Sequence, residues 1–275
     1  GVVLVNVLVI LAIAGSLMLV LVNNQDTNLK RIARSADASI LEQIVFGAEA
    51  SVIDALKRDL ETAPDQDHLN EDWAKSVIQD NVQLPTGRFS LQISDLQSKF
   101  NINQMADVTA ATQEFARRLM IALDQPPQTA NQIARILKAI GPVKSLHDLA
   151  AFGIPQNTLN ALTPHVTALP INTTINLNTV SPFLLSLMLQ NKTQADQLIR
   201  IRQRQGYLSR QNIQNIGAIR PQNSGFTSNA YLINTTAQTG AARIHMKTRI
   251  LRQNSQGTTS VNIIERSFLN STPNT

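Results

Sequence analysis

The sequence predicts an α+β protein: one long N-terminal helix packed on an antiparallel β-sheet, with an all-α unit inserted between the strands. Three observations predict it. Helical patterning runs unbroken from the first residues to Thr62-Ala63-Pro64. Strand-like composition occurs near residues 88–96 and again over 229–269. Between those stretches lies a series of short, capped helical segments.

The helix comes first. Residues 1–22 contain no charged residue, and only Asn6 and Ser16 carry polar side chains. At a rise of about 1.5 Å per residue, a helix over 2–22 spans about 31 Å, enough to cross a bilayer core. A cleaved secretory signal has a charged start, a shorter apolar core and a small-residue cleavage site. None of these is present, so the segment reads as a retained transmembrane anchor. Beyond it, Ile32, Ala36, Ile40, Ile44, Ala48, Val52, Leu56 and Leu60 recur every four residues, with Leu41 and Val45 widening the stripe. This predicts an amphipathic continuation over 23–61 that packs on a folded domain and stops where Pro64 disfavours helix.

Residues 62–70 read as a polar loop and 70–81 as a short helix carrying Trp73. Residues 88–96 alternate Phe89, Leu91 and Ile93 with Ser90, Gln92 and Ser94, the pattern of a half-buried strand. Asp107 is expected to cap a helix over 108–123 that turns Val108, Phe115, Leu119 and Ala122 inward. Residues 129–217 read as a cluster of short helices. Ser145 with Asp148 and Thr193 with Asp196 have capping-box spacing, Ser181-Pro182 pairs a cap with a first-turn proline, and Gly206 is a stop. Gly141…Ser145…Leu149…Gly153 echoes Gly206…Ser209…Ile213…Gly217, which suggests two similar helical hairpins. Residues 230–236, 242–251 and 258–268 are rich in Ile, Val, Thr and aromatics. Thr239-Gly240 and Ser255-Gln256-Gly257 separate them, so they read as an antiparallel meander.

Composition narrows the chemistry. With no cysteine among 275 residues, disulfides, thiol nucleophiles and cysteine-based metal sites are excluded. There is no P-loop, GxGxxG, GxSxG or HExxH, and His68, His147, His165 and His245 lack metal-ligand spacing, so the sequence reads as a non-enzyme. Asp65, Asp67, Glu71 and Asp72 form an acidic cluster in and after the polar loop and are candidate calcium ligands, although their spacing matches no EF-hand. Charge is unevenly spread: residues 1–148 hold 13 Lys/Arg and 17 Asp/Glu, whereas 149–275 hold 11 Lys/Arg and two acids, a net +9. Arg200, Arg202, Arg204 and Arg210 sit beside Ile175-Asn176-Leu177-Asn178-Thr179 in a pattern similar to helix–hairpin–helix DNA-binding modules. The glycine-rich hairpin that would cradle phosphate is missing: the first hairpin reads Leu189-Gln190-Asn191-Lys192. Nucleic-acid binding is therefore not expected.

Several segments, taken in order, resemble the K-type minor pseudopilins of the bacterial type II secretion system. They are the apolar start, Phe46-Gly47-Ala48-Glu49-Ala50, Glu71-Asp72-Trp73-Ala74, Asp95-Leu96-Gln97-Ser98-Lys99-Phe100-Asn101-Ile102-Asn103, Leu162-Thr163-Pro164 and Ile175-Asn176-Leu177-Asn178-Thr179. The sequence departs from that family at Leu123-Asp124-Gln125-Pro126-Pro127, where the family carries an acidic, Trp-containing stretch. The resemblance implies a pilin-like fold with an inserted helix–hairpin–helix or SAM-like domain. The expected division is an anchor (1–22), the helix continuation (23–61), a pilin-like domain (62–105 and 220–275) and the inserted helical domain (106–219). It further implies a single-pass protein of the bacterial inner membrane with its globular part in the periplasm. Such a protein would sit at a pseudopilus tip beside the I- and J-type minor pseudopilins, the major pseudopilin and the inner-membrane assembly platform. A type IV pilus minor pilin and a membrane-anchored DNA-uptake protein are the alternatives. Most pilin-like subunits carry glutamate at mature position five. If Gly1 is the last leader residue, Val2 starts the mature chain and the fifth residue is Asn6; if cleavage precedes Gly1, it is Val5. Neither is charged.

Overall fold

The computed structural model describes residues 2–75, 77–106, 109–255 and 258–270. Helix α1 (Val2–Thr62) is continuous from the apolar start through the amphipathic stretch, 61 residues or about 90 Å of helix. None of residues 2–40 is buried, and burial begins at Leu41. From there Leu41, Val45, Ala48, Val52 and Leu56 face the sheet. The four-residue periodicity therefore corresponds to packing only in its second half. Ile32, which the stripe placed against the domain, is 66% exposed, and Ala36 is exposed too. The reason is the length of the sheet: among the described residues its far end closes on Leu41 and Val45 through Ala237 and Met246, near the turn at Gly240.

After the loop comes a single helical turn, α2 (Asp72–Lys75), then strands β1 (Gln79–Leu84) and β2 (Gly87–Asp95). The helix expected over 70–81 is thus cut short, and its last three residues belong to an edge strand. The polar run Gln79-Asp80-Asn81-Val82-Gln83 has no core-facing alternation to announce a strand. It is strand because its backbone completes the sheet against β2, with a register irregularity between Gln79 and Val82.

The chain leaves the sheet at Asp95 and returns beside β2. Short parallel pairs, β3 (Phe100–Asn101) with β4 (Val166–Thr167) and β5 (Ile175–Asn176) with β6 (Ser224–Gly225), tie the intervening helices together. Those helices are α3 (Ala110–Ala122), α4 (Gln128–Ile140), α5 (Gln156–Leu162), α6 (Pro182–Leu189), α7 (Lys192–Gln205) and α8 (Arg210–Asn215). They enclose their own core, in which Leu119, Ile133, Leu149, Leu159, Leu185 and Leu198 are almost wholly buried.

The local signals were mostly honoured and sometimes moved. The Ser145–Asp148 capping box forms, and Ser181 caps α6 ahead of Pro182. The echoed segment carries the same device, a Ser209–Asn212 box. Helix α3 is capped by Thr109, and Ala122 is exposed rather than inward; Asp107 and Val108 lie outside the described residues. The expected Thr193–Asp196 box gives way to Asn191, whose side chain accepts from the Gln194 amide. Gln190 in a left-handed conformation (φ 55°) ends α6 and brings Asn191 into that position first. Gly206, at φ 90°, ends α7, and the Asn70 side chain lies so close that a Cβ there would meet it at 2.4 Å.

The meander closes the fold: β7 (Ala230–Thr239), β8 (Ala242–Ser255) and β9 (Thr258–Asn270) give a sheet ordered β1-β2-β7-β8-β9, antiparallel throughout. Each strand runs further than its composition indicated. Gln256 and Gly257 of the second expected turn lie outside the described residues.

Candidate functional site

The residues expected to govern processing and assembly sit at the free end of α1. Val2, Val5 and Asn6 are helical and exposed, and Gly1 lies outside the described residues. Helix α1 is long and apolar enough to cross a membrane by length and composition.

The acidic residues after α1 sort differently. Asp67 is completely buried, whereas Asp65 and Asp72 are exposed. Among the described residues, Asp59, Asp67 and Glu71 bring carboxylate oxygens within 4.8 Å of one another. The structure thus unites two of the four calcium candidates, Asp67 and Glu71, and adds Asp59 from the last turns of α1. Asp65 and Asp72 are not in the group.

A cation already serves this group, and it belongs to the chain. Arg252 of β8 is 1% exposed. Its Nη1 donates to Asp59 Oδ2 at 2.7 Å and to the Leu56 carbonyl at 3.4 Å, its Nη2 to Asp67 Oδ1, and its Nε to the Ser228 carbonyl at 3.0 Å. Asp67 also accepts from the Ser228 amide (2.7 Å) and the Tyr231 hydroxyl (2.8 Å). The guanidinium's planar array of donors matches two carboxylates and two carbonyls at once, which a spherical ion does not need. The set fits an arginine rather than calcium. Burial pushes Asp59 up to about 6 against the pull of Arg252, and raises Glu71, which accepts from the Trp73 indole and the His68 amide, both at 2.8 Å.

A second buried carboxylate lies alongside. Asp95, at the end of β2, accepts from the Gln97 amide (2.7 Å), the Ser228 hydroxyl (2.6 Å), the Asn176 side-chain amide (3.2 Å) and the Thr179 hydroxyl. The Asn176 amide also donates to the Asp67 carbonyl at 3.0 Å and to the Ser228 hydroxyl at 2.9 Å. Asn176 and Thr179 belong to the stretch between α5 and α6, Asp67 to the loop after α1, and Ser228 to the approach to β7. Four stretches distant in sequence are thereby fixed to one another at a single point. Burial pushes the Asp95 carboxyl up to about 6.

That shift has a signed consequence. A carboxyl raised on folding adds stability fully present below its unfolded value of about 3.9, lost as pH rises through the folded value. From pH 4 to 7 the Asp95 contribution falls by about 2 kcal/mol. Urea denaturation of the fragment from Asn24 onward should therefore show the parent losing stability relative to Asp95→Asn as pH rises from 4 to 7. The histidines whose pKa burial lowers, His68, His165 and His245, are common to both chains and cancel in the difference. Parallel curves would contradict the assignment.

Periodicity alone did not pick out Arg252, Asp59, Asp95 or Glu49, yet each stands in core phase. Arg252 follows Met246, Thr248 and Ile250 on the buried side of β8, and Asp95 follows Leu91 and Ile93 on β2. Glu49 and Asp59 share the buried face of α1. Glu49, 3% exposed, pairs with Arg266 (2.5 Å) and accepts from the Thr248 hydroxyl (2.6 Å). A charge in core phase is the signal that would have found them. Of the basic cluster, Arg202 is structural: its Nη1 donates to the Leu177 and Val180 carbonyls, both at 2.8 Å.

A long N-terminal helix, apolar and free at its start, packed at its end on an antiparallel sheet, is a pseudopilin-like fold. No family model matches the sequence, and no curated protein matches it. Among solved structures, a chain from the GspK-GspI-GspJ complex of the enterotoxigenic Escherichia coli Type 2 Secretion System is similar, with a TM-score of 0.64 and 17% sequence identity. The likeness covers 88% of this chain and 100% of that one.

Proposed function

We propose that this protein is a minor pseudopilin, held in the bacterial inner membrane by residues 2–22 with its folded part in the periplasm. It stands at the tip of a short filament and works with I- and J-type minor pseudopilins, the major pseudopilin and the assembly platform. One observation carries the reading: α1 is docked only from Leu41 onward, so that residues 2–40 form a bare rod that is apolar over 2–22. Such a rod suits a subunit whose remaining helix neighbours are other subunits. That the structurally similar chain comes from a complex of GspK, GspI and GspJ supports the choice of partners. The chain's role in this reading is templating rather than catalysis. The anchor packs against other anchors, and the junction around Arg252 holds the folded part rigidly on the rod.

Position six tests the tip placement. A carboxylate near the membrane end of α1 needs a partner, and in a shaft subunit the neighbour's N-terminal amine supplies one. A subunit with nothing above it has no such amine to meet, and an uncharged residue costs it nothing. Asn6→Glu, assayed for secretion in a strain lacking its own copy, is expected to leave export unchanged or lower it. A clear gain would put the subunit inside the shaft.

A further inference from the structure

The helical part of the molecule has a second feature. A cleft of about 420 Å³ opens between the start of α3, the end of α6 and the loop before β6. Its floor is formed by Phe100, Phe115, Ile175 and Met188, all less than 10% exposed and all part of the helical core. Its rim carries Ile219 and Arg220. Ile219 is 88% exposed, more than any large apolar residue of the anchor, although it lies in a loop that the structure holds firmly. The Ser224 hydroxyl donates to the Pro221 carbonyl (2.6 Å), and the Asn223 side chain donates to Thr112 on α3 (3.2 Å).

The charges around the cleft are unequal in availability. Glu114, the acid of the lining, is matched by Arg117 through two hydrogen bonds of 2.9 and 2.8 Å and lies 3.6 Å from Arg118. Arg118 is further held by the Leu187 carbonyl at 2.9 Å. Arg220 is exposed, with no ion pair among the described residues. The cleft therefore presents an apolar floor, an apolar knob and one unmatched guanidinium, on the half of the chain whose net charge is +9. A pocket of this size with one orienting charge is what a short peptide anchor needs.

We infer that this cleft docks an extended segment of a partner protein that inserts a bulky aliphatic or aromatic side chain onto the Phe115–Met188 floor and sets a carboxylate one or two residues away against Arg220. The thioether of Met188 adapts to the shape of the inserted side chain. The acid is recognised by charge-assisted hydrogen bonds. The inference does not depend on the tip placement, because it rests on the helical core and its rim alone.

The test uses the full chain in lipid nanodiscs and a phage-displayed library of random heptapeptides as the probe. Recovered peptides are expected to be enriched in Leu, Phe or Met with Asp or Glu within two positions. A synthetic consensus peptide should lose about tenfold or more in affinity against Arg220→Glu. Because Arg220 is exposed, this variant is expected to keep its fold, which circular dichroism checks; Ile219→Ser should weaken the same peptide independently. Recovery of no consensus, a consensus without acids, or binding indifferent to Arg220→Glu would overturn the inference. So would decanoate binding in an Arg220-dependent manner with no peptide consensus, which would assign the cleft to an acyl carboxylate instead.

Discussion

Replacing Arg252 by methionine is expected to cost about 3–5 kcal/mol of folding stability, the range for removing one partner from a buried ion pair. The substitution keeps most of the apolar bulk and removes the charge that Asp59 and Asp67 share. Both carboxylates would then stand buried without a cation, together with the Leu56 and Ser228 carbonyls that the guanidinium also satisfies. At roughly 2–4 °C per kcal/mol for a protein of this size, the melting temperature of the fragment from Asn24 onward should fall by roughly 6–20 °C. Calorimetry reads this directly. Adding Asp59→Asn and Asp67→Asn to Arg252→Met should recover part of the loss, because uncharged amides cost less to bury than orphaned carboxylates. A loss below about 1 kcal/mol for the single substitution would mean that the junction is hydrated and does not hold α1 to the sheet.

The effect should be felt where the rod meets the domain. Asp59 lies in the last turns of α1, Asp67 in the loop that follows, and Arg252 on β8. The guanidinium closes that loop against the sheet while the apolar face from Leu41 to Leu56 supplies the broad contact. Burial alone would let α1 slide or roll on the sheet, since apolar contact is non-directional. Two ion pairs at the C-terminal end, and Glu49 against Arg266 midway, fix its register.

Much of this architecture is legible in the sequence, and what is not has identifiable causes. The helix is readable because its periodicity is unbroken by proline until Pro64. The meander is readable because its strands are rich in β-branched residues. Where the helix stops touching the domain is not readable: Ile32 and Leu41 look alike in the pattern, and only the length of the sheet separates them. Strand β1 is hidden because an edge strand with Gln79, Asp80 and Asn81 has little apolar alternation to show. The cap of α7 is ambiguous in the sequence because Asn191 and Thr193 are both good caps, and the left-handed turn at Gln190 decides between them. At the junction the sequence displayed an acidic loop, and acids in a loop suggest a metal. The cation that meets them arrives from a residue nearly two hundred positions away, and only the sheet register brings it there. A charged residue in core phase, as at Glu49, Asp59, Asp95 and Arg252, is the trace such a junction leaves in a sequence.

The most direct measurement of the central claim mixes the fragment from Asn24 onward with purified I- and J-type minor pseudopilins. Gel filtration and calorimetry at tens of micromolar then read their association. A minor pseudopilin at a filament tip should co-elute with both partners as one species and release or absorb measurable heat. Three separate elution peaks with no heat would contradict the claim.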